Sequence, residues 1–264
     1  MTLLELKNVT KEYPLRRRRG QLKKKAAVNN VSFTIAKGES VALVGESGSG
    51  KSTLAKLIMK MEKLTSGQIL WNGHNIHSKQ LNALTLYKNI QMVLQDSSSS
   101  LHPRMRVEEI LLEPIHNFFP DKKNDVEECL KLLHLVGLDA SYMKRSPNQL
   151  SGGQKQRVCI AKALAVQPEL IIFDESIASL DRYSQVSILE MLKRIQKQVG
   201  PSYLFITHDL ESAIQLCDRA AVMYQGEIVE TFTHWERELL RHPYSKLLFD
   251  TMDFDHKEGK VAAI

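Results

Sequence analysis

Long apolar runs, paired cysteines and a secretion-type start are all missing from this chain of 264 residues. Its longest hydrophobic stretches have the length of a strand, too short for a membrane-spanning helix. The first residues lack the basic start and long apolar run of a signal peptide. Three cysteines stand far apart without a C-x-x-C pair, so we expect reduced thiols and no zinc site. Together these absences predict a cytoplasmic protein that can dock on a partner in the membrane.

Aromatic residues are also scarce, at 6% of the chain, and none stands in the most basic stretch. The net charge is +6, and its excess is concentrated in residues 16–19 and 23–25. Without aromatic side chains to stack on bases, this segment does not predict nucleic-acid binding. Two interpretations stay open: a solvated loop between strands, or a contact to lipid headgroups or a membrane protein.

A glycine-rich loop is the strongest feature that the sequence does contain. It lies between an apolar strand at 40–44 and a stretch with helical spacing of apolar residues from 54 onward. The pattern is G-x-x-x-x-G-K-[ST], formed by Gly45, Glu46, Ser47, Gly48, Ser49, Gly50, Lys51, Ser52 and Thr53. Glycines let backbone N–H groups surround an anion, and the helix N-terminus adds positive charge. Lys51 can reach the β- and γ-phosphates, and Ser52 can ligate Mg²⁺, so the sequence predicts a nucleoside triphosphate site.

Two carboxylates follow a second buried strand. Residues 170–173 are apolar at every position, which is typical of a strand covered on both faces, and Asp174 and Glu175 come next. Asp174 is predicted to hold Mg²⁺, because that metal prefers oxygen ligands. Glu175 is predicted to orient or deprotonate the water that attacks the γ-phosphate.

Three further polar residues have a functional and a structural interpretation each. Gln95 follows a strand at 91–94 and can contact Mg²⁺ and the attacking water, or it is a polar residue leaving the sheet. His208 ends the strand at 203–207 and can donate to the γ-phosphate, or it is structural. Tyr13 can stack on adenine, or it is a half-buried strand tyrosine.

The stretch Leu150-Ser151-Gly152-Gly153-Gln154 predicts a second anion-binding nest at a helix start. One chain then has two nests for one γ-phosphate. We therefore expect a head-to-tail dimer, in which Ser151, Gly152, Gly153 and Gln154 of each chain close over the nucleotide held by the other. Between Gln95 and this nest, helical spacing of apolar residues predicts a helical insert, with Pro103, Pro114 and Pro120 as breakers.

These motifs, in this order, resemble the ATP-binding cassette of ABC transporters, and the resemblance extends over nearly the whole chain. It implies an α/β fold of the P-loop NTPase, ABC-ATPase type. That fold has a RecA-like core, an N-terminal antiparallel β subdomain and an α-helical subdomain. The chain would be one ABC ATP-binding domain, 1–264, with the helical subdomain at roughly 97–155 and a short C-terminal tail at 235–264. The implied cofactors are ATP and Mg²⁺.

Within the family, residues 90–96, 102–104 and 242–248 resemble the oligopeptide, dipeptide and nickel import group. Residues 149–181 are most similar to second ATP-binding subunits of nickel importers. One departure is Ser176-Ile177-Ala178, where most cassettes have Pro-Thr-Ser after the two carboxylates. Both carboxylates are intact, so the ATPase site is expected to be complete.

The resemblance implies a peripheral ATPase on the cytoplasmic face of the cell membrane. Its expected partners are two transmembrane permease subunits, a homologous ATP-binding subunit and an extracellular solute-binding protein. The dimer is expected to be a heterodimer, with a homodimer as the alternative, and the serine-rich stretch after Gln95 is expected to face the permease. Nickel, free or chelated, is the expected solute, with short peptides as the alternative. The other classes considered are a soluble ABC ATPase without a transport role and a regulator that binds nucleotide without turnover.

Overall fold

Two sheets share one apolar cluster, and most of the helices pack against the other face of the second sheet. The computed structural model describes residues 1–16, 22–78, 81–96, 100–121 and 126–250. The strands are β1 (Thr2–Arg16), β2 (Leu22–Ala36), β3 (Ser40–Val44), β4 (Ser66–Trp71), β5 (His74–Asn75), β6 (Ile90–Val93), β7 (Leu170–Asp174), β8 (Ser202–Thr207), β9 (Arg219–Tyr224) and β10 (Glu227–Phe232). The helices are α1 (Lys51–Ile58), α2 (Ala83–Asn89), α3 (Val107–Phe118), α4 (Val126–Leu135), α5 (Gly152–Leu164), α6 (Arg182–Val199), α7 (Leu210–Leu216) and α8 (Pro243–Asp250).

The first sheet is antiparallel, with strand order β2-β1-β4-β5. Its two long strands reach further than the sequence predicts, because the alternation of apolar and polar residues is clear only over 3–9 and 31–35. Tyr13 and Lys25, expected in or beside a loop, are paired strand residues. The tip of the basic segment, residues 17–21, lies outside the described residues. The predicted N-terminal antiparallel sheet is confirmed.

The second sheet has the order β10-β9-β3-β8-β7-β6. Strands β9, β3, β8, β7 and β6 are parallel, and β10 forms a hairpin with β9. Alternate residues of β3 belong to different apolar clusters: Ala42 and Val44 face one, Val41 and Leu43 the other. Both faces are thus covered, which explains why the strand is apolar throughout. Because the strands are parallel, their carboxyl ends, where the polar motif residues stand, share one edge.

Most of the predicted helical insert lies between β6 and β7, which are neighbours in the sheet although 76 residues separate the end of one from the start of the other. Helices α3 and α4 and the start of α5 occupy this stretch and bury residues such as Leu111, Leu133 and Val158. The boundary of a separate subdomain at 97–155 stays a prediction. Residues 97–99, in the stretch expected to face a permease, lie outside the described residues.

Pro114 corrects one expectation, because it lies inside α3 instead of breaking it. A proline within a helix costs about 3 kcal/mol through the lost hydrogen bond and its clash with the preceding turn. Pro114 is itself buried, beside Leu111 and Ile115 on the apolar face of the helix. Burial of this face offsets that cost. Within the described ranges, every helix is too short or too polar to cross a membrane.

Candidate functional site

The phosphate loop, residues 45–53, connects β3 to α1 at the polar edge of the second sheet. Gly50 precedes the helix with a φ of 112°, and a Cβ there would lie 2.2 Å from the carbonyl oxygen of Ala27. Only glycine fits so close an approach. The Gly226 N–H, in the β9–β10 turn, donates to the Ser49 carbonyl oxygen at 2.9 Å. The loop is therefore held against β2 and the β9–β10 turn as well as by its own sequence.

Lys51 is buried at the centre of this loop, with only 3% of the residue exposed. Its Nζ donates to the carbonyl oxygens of Gly45 and Glu46, at 2.7 and 2.8 Å. Burial lowers the pKa of Lys51, while the nearby carboxylates of Glu175 and Asp174 act in the opposite direction. The ammonium group is held by neutral carbonyls beside the cavity that the loop lines, which suits it to an incoming phosphate.

Ser52 and Asp174 connect the phosphate loop to the end of β7. The Ser52 hydroxyl donates to Asp174 Oδ1 at 2.9 Å, although 122 residues separate the two in sequence. Burial raises the pKa of Asp174, and the bond from Ser52 opposes that rise. A hydroxyl and a carboxylate oxygen are the hard donors that Mg²⁺ takes, and this ion keeps its other positions for water and phosphate. The pair therefore fits a magnesium ion.

Glu175 takes a left-handed backbone conformation, with a φ of 48°. Its N–H donates to the Ile206 carbonyl oxygen on the neighbouring strand at 2.9 Å, which fixes the turn. The Glu175 side chain, with that of Gln95, lines a cavity of about 240 Å³ that the phosphate loop completes. His208 Nδ1 lies 3.8 Å from Glu175 Oε1, and the imidazole is 57% exposed. The structure thus brings these three predicted residues to the same edge as Lys51.

Tyr13 borders a larger cleft of about 600 Å³ next to this cavity. The cleft and the cavity share Ala27 and Gly48, so one ligand can extend through both. The Tyr13 hydroxyl donates to the Glu62 carboxylate, and Lys11 Nζ lies 4.9 Å from the ring centroid. Tyr13 is a half-buried strand tyrosine that also lines the cleft, and its stacking on adenine stays a prediction.

The second glycine motif begins α5. Ser151 is the N-cap, and its Oγ accepts from the Gln154 N–H at 3.3 Å, while Gln154 Oε1 accepts from the Ser151 N–H at 3.0 Å. Gln154 Nε2 also donates to the Tyr142 hydroxyl at 2.9 Å. With Gly153, these residues line a cavity of about 190 Å³ that shares no lining residue with the cavity at Lys51. Within one chain, the two nests are separate sites.

Two contacts at the site were missed by the sequence analysis. Glu62 carries no motif, and its bond to Tyr13 follows from the chain path after α1. Tyr244 belongs to a stretch noted only for its resemblance, yet its hydroxyl accepts from the Glu46 N–H of the phosphate loop at 2.8 Å. No local pattern indicates a contact across 198 residues of sequence.

A phosphate loop before a helix, with two carboxylates at the end of a parallel strand beside it, defines a P-loop ATPase. The family model for ABC transporters matches residues 28–178. The nickel import ATP-binding protein NikE of Escherichia coli strain K12 is 43% identical over 233 residues, covering 88% of this chain and 87% of the relative. The oligopeptide transport ATP-binding protein OppF of Bacillus subtilis strain 168 is 40% identical over 267 residues, covering 98% and 86%.

Among solved structures, a dimeric ATP-binding cassette in a post-hydrolysis state with ADP and Pi matches with a TM-score of 0.75. It is 30% identical and covers 88% of this chain and 98% of its own. The cassette cbiO1 of Clostridium perfringens, part of the ABC transporter complex cbiONQ, matches with a TM-score of 0.72 at 26% identity and covers 88% of each chain. The chain belongs to the ABC transporter family and is one of its ATP-binding cassettes, with ATPase activity. The predicted ABC-ATPase fold is confirmed.

Proposed function

We propose that this chain is the energy-coupling ATPase of a bacterial ABC importer. The observation that carries the proposal is the set of phosphate loop, strand-end carboxylates and second nest on one cassette. The same cassette is 43% identical to a nickel import ATP-binding protein and 40% identical to an oligopeptide transport one. A regulator without turnover would have no need of Glu175 beside the phosphate cavity.

In this proposal, backbone N–H groups of residues 45–53 surround the phosphates and Lys51 neutralises their charge. Glu175 accepts a proton from the attacking water while the new bond to the γ-phosphorus forms. The bond from that phosphorus to the ADP oxygen breaks, and phosphate leaves. Gln95 orients the water, and His208 donates a hydrogen bond to the γ-phosphate as charge develops. Tyr13 stacks on the adenine in the neighbouring cleft.

Ser52, Asp174 and Gln95 would hold the Mg²⁺ that accompanies ATP. The bond from Ser52 to Asp174 keeps two of these oxygen donors together. When bound, the ion supplies neutralisation of the charge on the β- and γ-phosphates.

A second cassette would complete the site. Ser151, Gly152, Gly153 and Gln154 of one chain would close over the ATP held by the other, in the head-to-tail dimer predicted from sequence. Two features support this arrangement: the nests are separate in one chain, and a related cassette is dimeric in its ADP and Pi state. The partner is a homologous subunit or a second copy of this chain.

In the assembled importer, the dimer would sit at the cytoplasmic face of the membrane on two permease subunits, with a solute-binding protein outside. Nickel is the proposed solute, from the 43% identity to NikE. Short peptides are the second candidate, because the alignment with OppF covers 98% of this chain and that with NikE 88%.

Uptake of radioactive nickel, and separately of a labelled dipeptide, in cells with and without this gene tests the proposal. We expect cells without the gene to lose nickel uptake. The wild-type gene and the Lys56→Ala variant should restore uptake, and the Lys51→Ala variant should not. Lys56 is an exposed lysine of the same helix and serves as the matched control. Loss of dipeptide uptake instead assigns the peptide importer. No change in either would overturn transport and favour a soluble ATPase.

A further inference from the structure

The last part of the described chain, residues 237–250, packs against the β9–β10 hairpin and ends in α8. Leu240, Leu248 and Phe249 from this C-terminal segment are buried in the apolar cluster that also contains the helices and one face of the second sheet. The Phe249 ring lies 5.7 Å from that of Phe232 on β10. The segment lies beyond residue 178, where the match to the family model ends. Residues 242–248 of this segment are among those that resemble the oligopeptide, dipeptide and nickel import group, and the fold has made the segment part of its core.

Tyr244 carries a contact from this segment into the phosphate loop. Its ring is 7% exposed and stacks on Tyr224 with centroids 4.2 Å apart. Its hydroxyl accepts from the Glu46 N–H at 2.8 Å. A hydrogen bond to a hydroxyl on a buried, packed ring stabilises the position of the group that donates it, so this bond favours one position of the loop.

The Glu46 peptide is therefore held on both sides. Its N–H donates to Tyr244, and its carbonyl oxygen accepts from Lys51 Nζ at 2.8 Å. Moving this residue would move an acceptor of the ammonium group proposed to bind the phosphates. The C-terminal segment thus acts on Lys51 through a single residue.

Contacts outside the loop fix where the Tyr244 hydroxyl points. The Glu230 carboxylate accepts from the N–H groups of Arg241 and His242, at 2.6 and 3.2 Å. His242 Nδ1 accepts from the Tyr244 N–H at 3.2 Å. With the stack on Tyr224, these bonds place the ring independently of the nucleotide, so the loop is positioned before ATP arrives.

We propose that Tyr244 is a positioning residue for the nucleotide site, through which the C-terminal segment holds the phosphate loop in its binding conformation. The inference rests on the proposed role of residues 45–53 in binding ATP. A loop that is already in its binding conformation does not have to be ordered when ATP binds. Loss of the Tyr244 contact should therefore lower the affinity for ATP. Tyr244 touches neither the nucleotide nor the attacking water in this proposal.

The test compares Tyr244→Phe with Tyr203→Phe in the full-length chain. Both changes remove one hydroxyl from a buried ring and lose one bond to the backbone, since the Tyr203 hydroxyl donates to the Leu192 carbonyl oxygen at 3.1 Å. The probe is a fluorescent methylanthraniloyl derivative of ATP, titrated against each variant. Steady-state hydrolysis gives KM and kcat separately, and thermal unfolding measures the structural cost.

We expect Tyr244→Phe to weaken probe binding and raise KM for ATP by about threefold to tenfold, the range for one lost hydrogen bond. Its kcat at saturating ATP should stay within about twofold of the wild type. Tyr203→Phe should lower the unfolding temperature to a similar degree and leave affinity unchanged. Equal affinities in the two variants would overturn the inference while ATP binding by the wild type stands. A wild-type chain that binds no probe would overturn the proposed function and, with it, this inference.

Discussion

The phosphate loop and the second glycine nest are both glycine-rich turns at helix starts that are predicted to bind anions, but the fold supports them differently. The phosphate loop bonds to residues far away in sequence: Ser52 to Asp174, and Glu46 to Tyr244. The second nest is stabilised mainly by its own residues, through the reciprocal bonds of Ser151 and Gln154. The first is anchored to distant parts of its own chain, with Lys51 buried, while the second is complete locally and begins with exposed residues.

This difference suits the proposed dimer. The phosphate loop is held by hydrogen bonds to distant parts of its own chain. It can therefore bind nucleotide in the isolated chain, because its geometry does not depend on another molecule. The second nest is exposed, and its satisfied capping box keeps its shape until the γ-phosphate of an ATP bound to another chain reaches it. Substitutions at the phosphate loop and the residues beside it should therefore alter catalysis or the affinity for ATP in the isolated chain. Substitutions at the second nest should alter activity only after two chains have assembled.

The largest effect should come from Glu175→Gln. Loss of the proton acceptor should reduce kcat for ATP hydrolysis by about 100- to 1000-fold. Binding should persist, because Lys51 and the loop are untouched, and ATP should trap a dimer visible by gel filtration. Glu190→Gln, at an exposed position on α6, is the matched control and should leave turnover unchanged. Full turnover by the Glu175 variant would exclude it as the base.

Ser151→Arg should show whether the second nest acts in a different chain from the phosphate loop. A large cation at the exposed N-cap blocks the nest, so hydrolysis by the assembled complex should fall by about 100-fold, the scale for losing a preorganised oxyanion donor. Binding of a fluorescent ATP analogue to the isolated chain should stay within about twofold of the wild type. If the isolated chain lost affinity as well, the nest would belong to the same nucleotide site as Lys51. The two-chain arrangement would then be wrong.

The sequence predicted the second sheet and its motif residues well, because the signals there are local. Strand β7 is apolar from Leu170 to Phe173 and β8 from Tyr203 to Ile206, and the polar motif residues that come next mark where each strand ends. The carboxyl-end rule for parallel sheets then predicted that Asp174 and His208 share an edge. The positions agree, while the roles of these residues stay predictions.

The long-range parts could not be predicted in the same way. The extension of β1 to Arg16 depends on pairing with β2 across residues that show no alternation. The placement of Tyr13 in a strand, and its bond to Glu62, follow from that pairing. Pro114 stays helical because packing of α3 outweighs the local preference of proline, a tertiary effect that spacing alone does not contain.

Substitution of Tyr13, in the cleft next to the phosphate loop, should have a smaller effect. Tyr13→Ala should weaken ATP binding by about tenfold, consistent with the stacking energy of one base on an aromatic ring. Tyr13→Phe keeps the stack and loses only the bond to Glu62, so its affinity should change by about twofold or less. Titration with a fluorescent ATP analogue and competition by unlabelled ATP measure both. Equal losses in the two variants would show that the hydroxyl, and not the ring face, carries the contribution.

Glu230→Gln should give the smallest effect and separate the stability of the C-terminal segment from the chemistry of the site. Partial burial acts to raise the pKa of Glu230, but the nearby Ser245 hydroxyl and the hydrogen bonds from the N–H groups of Arg241 and His242 outweigh it and hold the pKa below its usual range. A carboxylate with a lowered pKa in the folded state contributes stability above its unfolded pKa of about 4.3 and loses that stability as pH falls through the folded pKa.

Near pH 7, then, the Glu230 variant should be less stable by about 1 kcal/mol, a shift in unfolding temperature of about 2–4 °C. The gap to the wild type should close as the pH is lowered below about 4, since the wild-type carboxylate then also becomes neutral. Affinity for ATP should change by less than about twofold, because glutamine keeps one side-chain oxygen that accepts from these N–H groups, and Tyr244 keeps its stack on Tyr224. A gap that stayed constant with pH would assign the loss to packing, since only the charged form of Glu230 supplies the pH-dependent part.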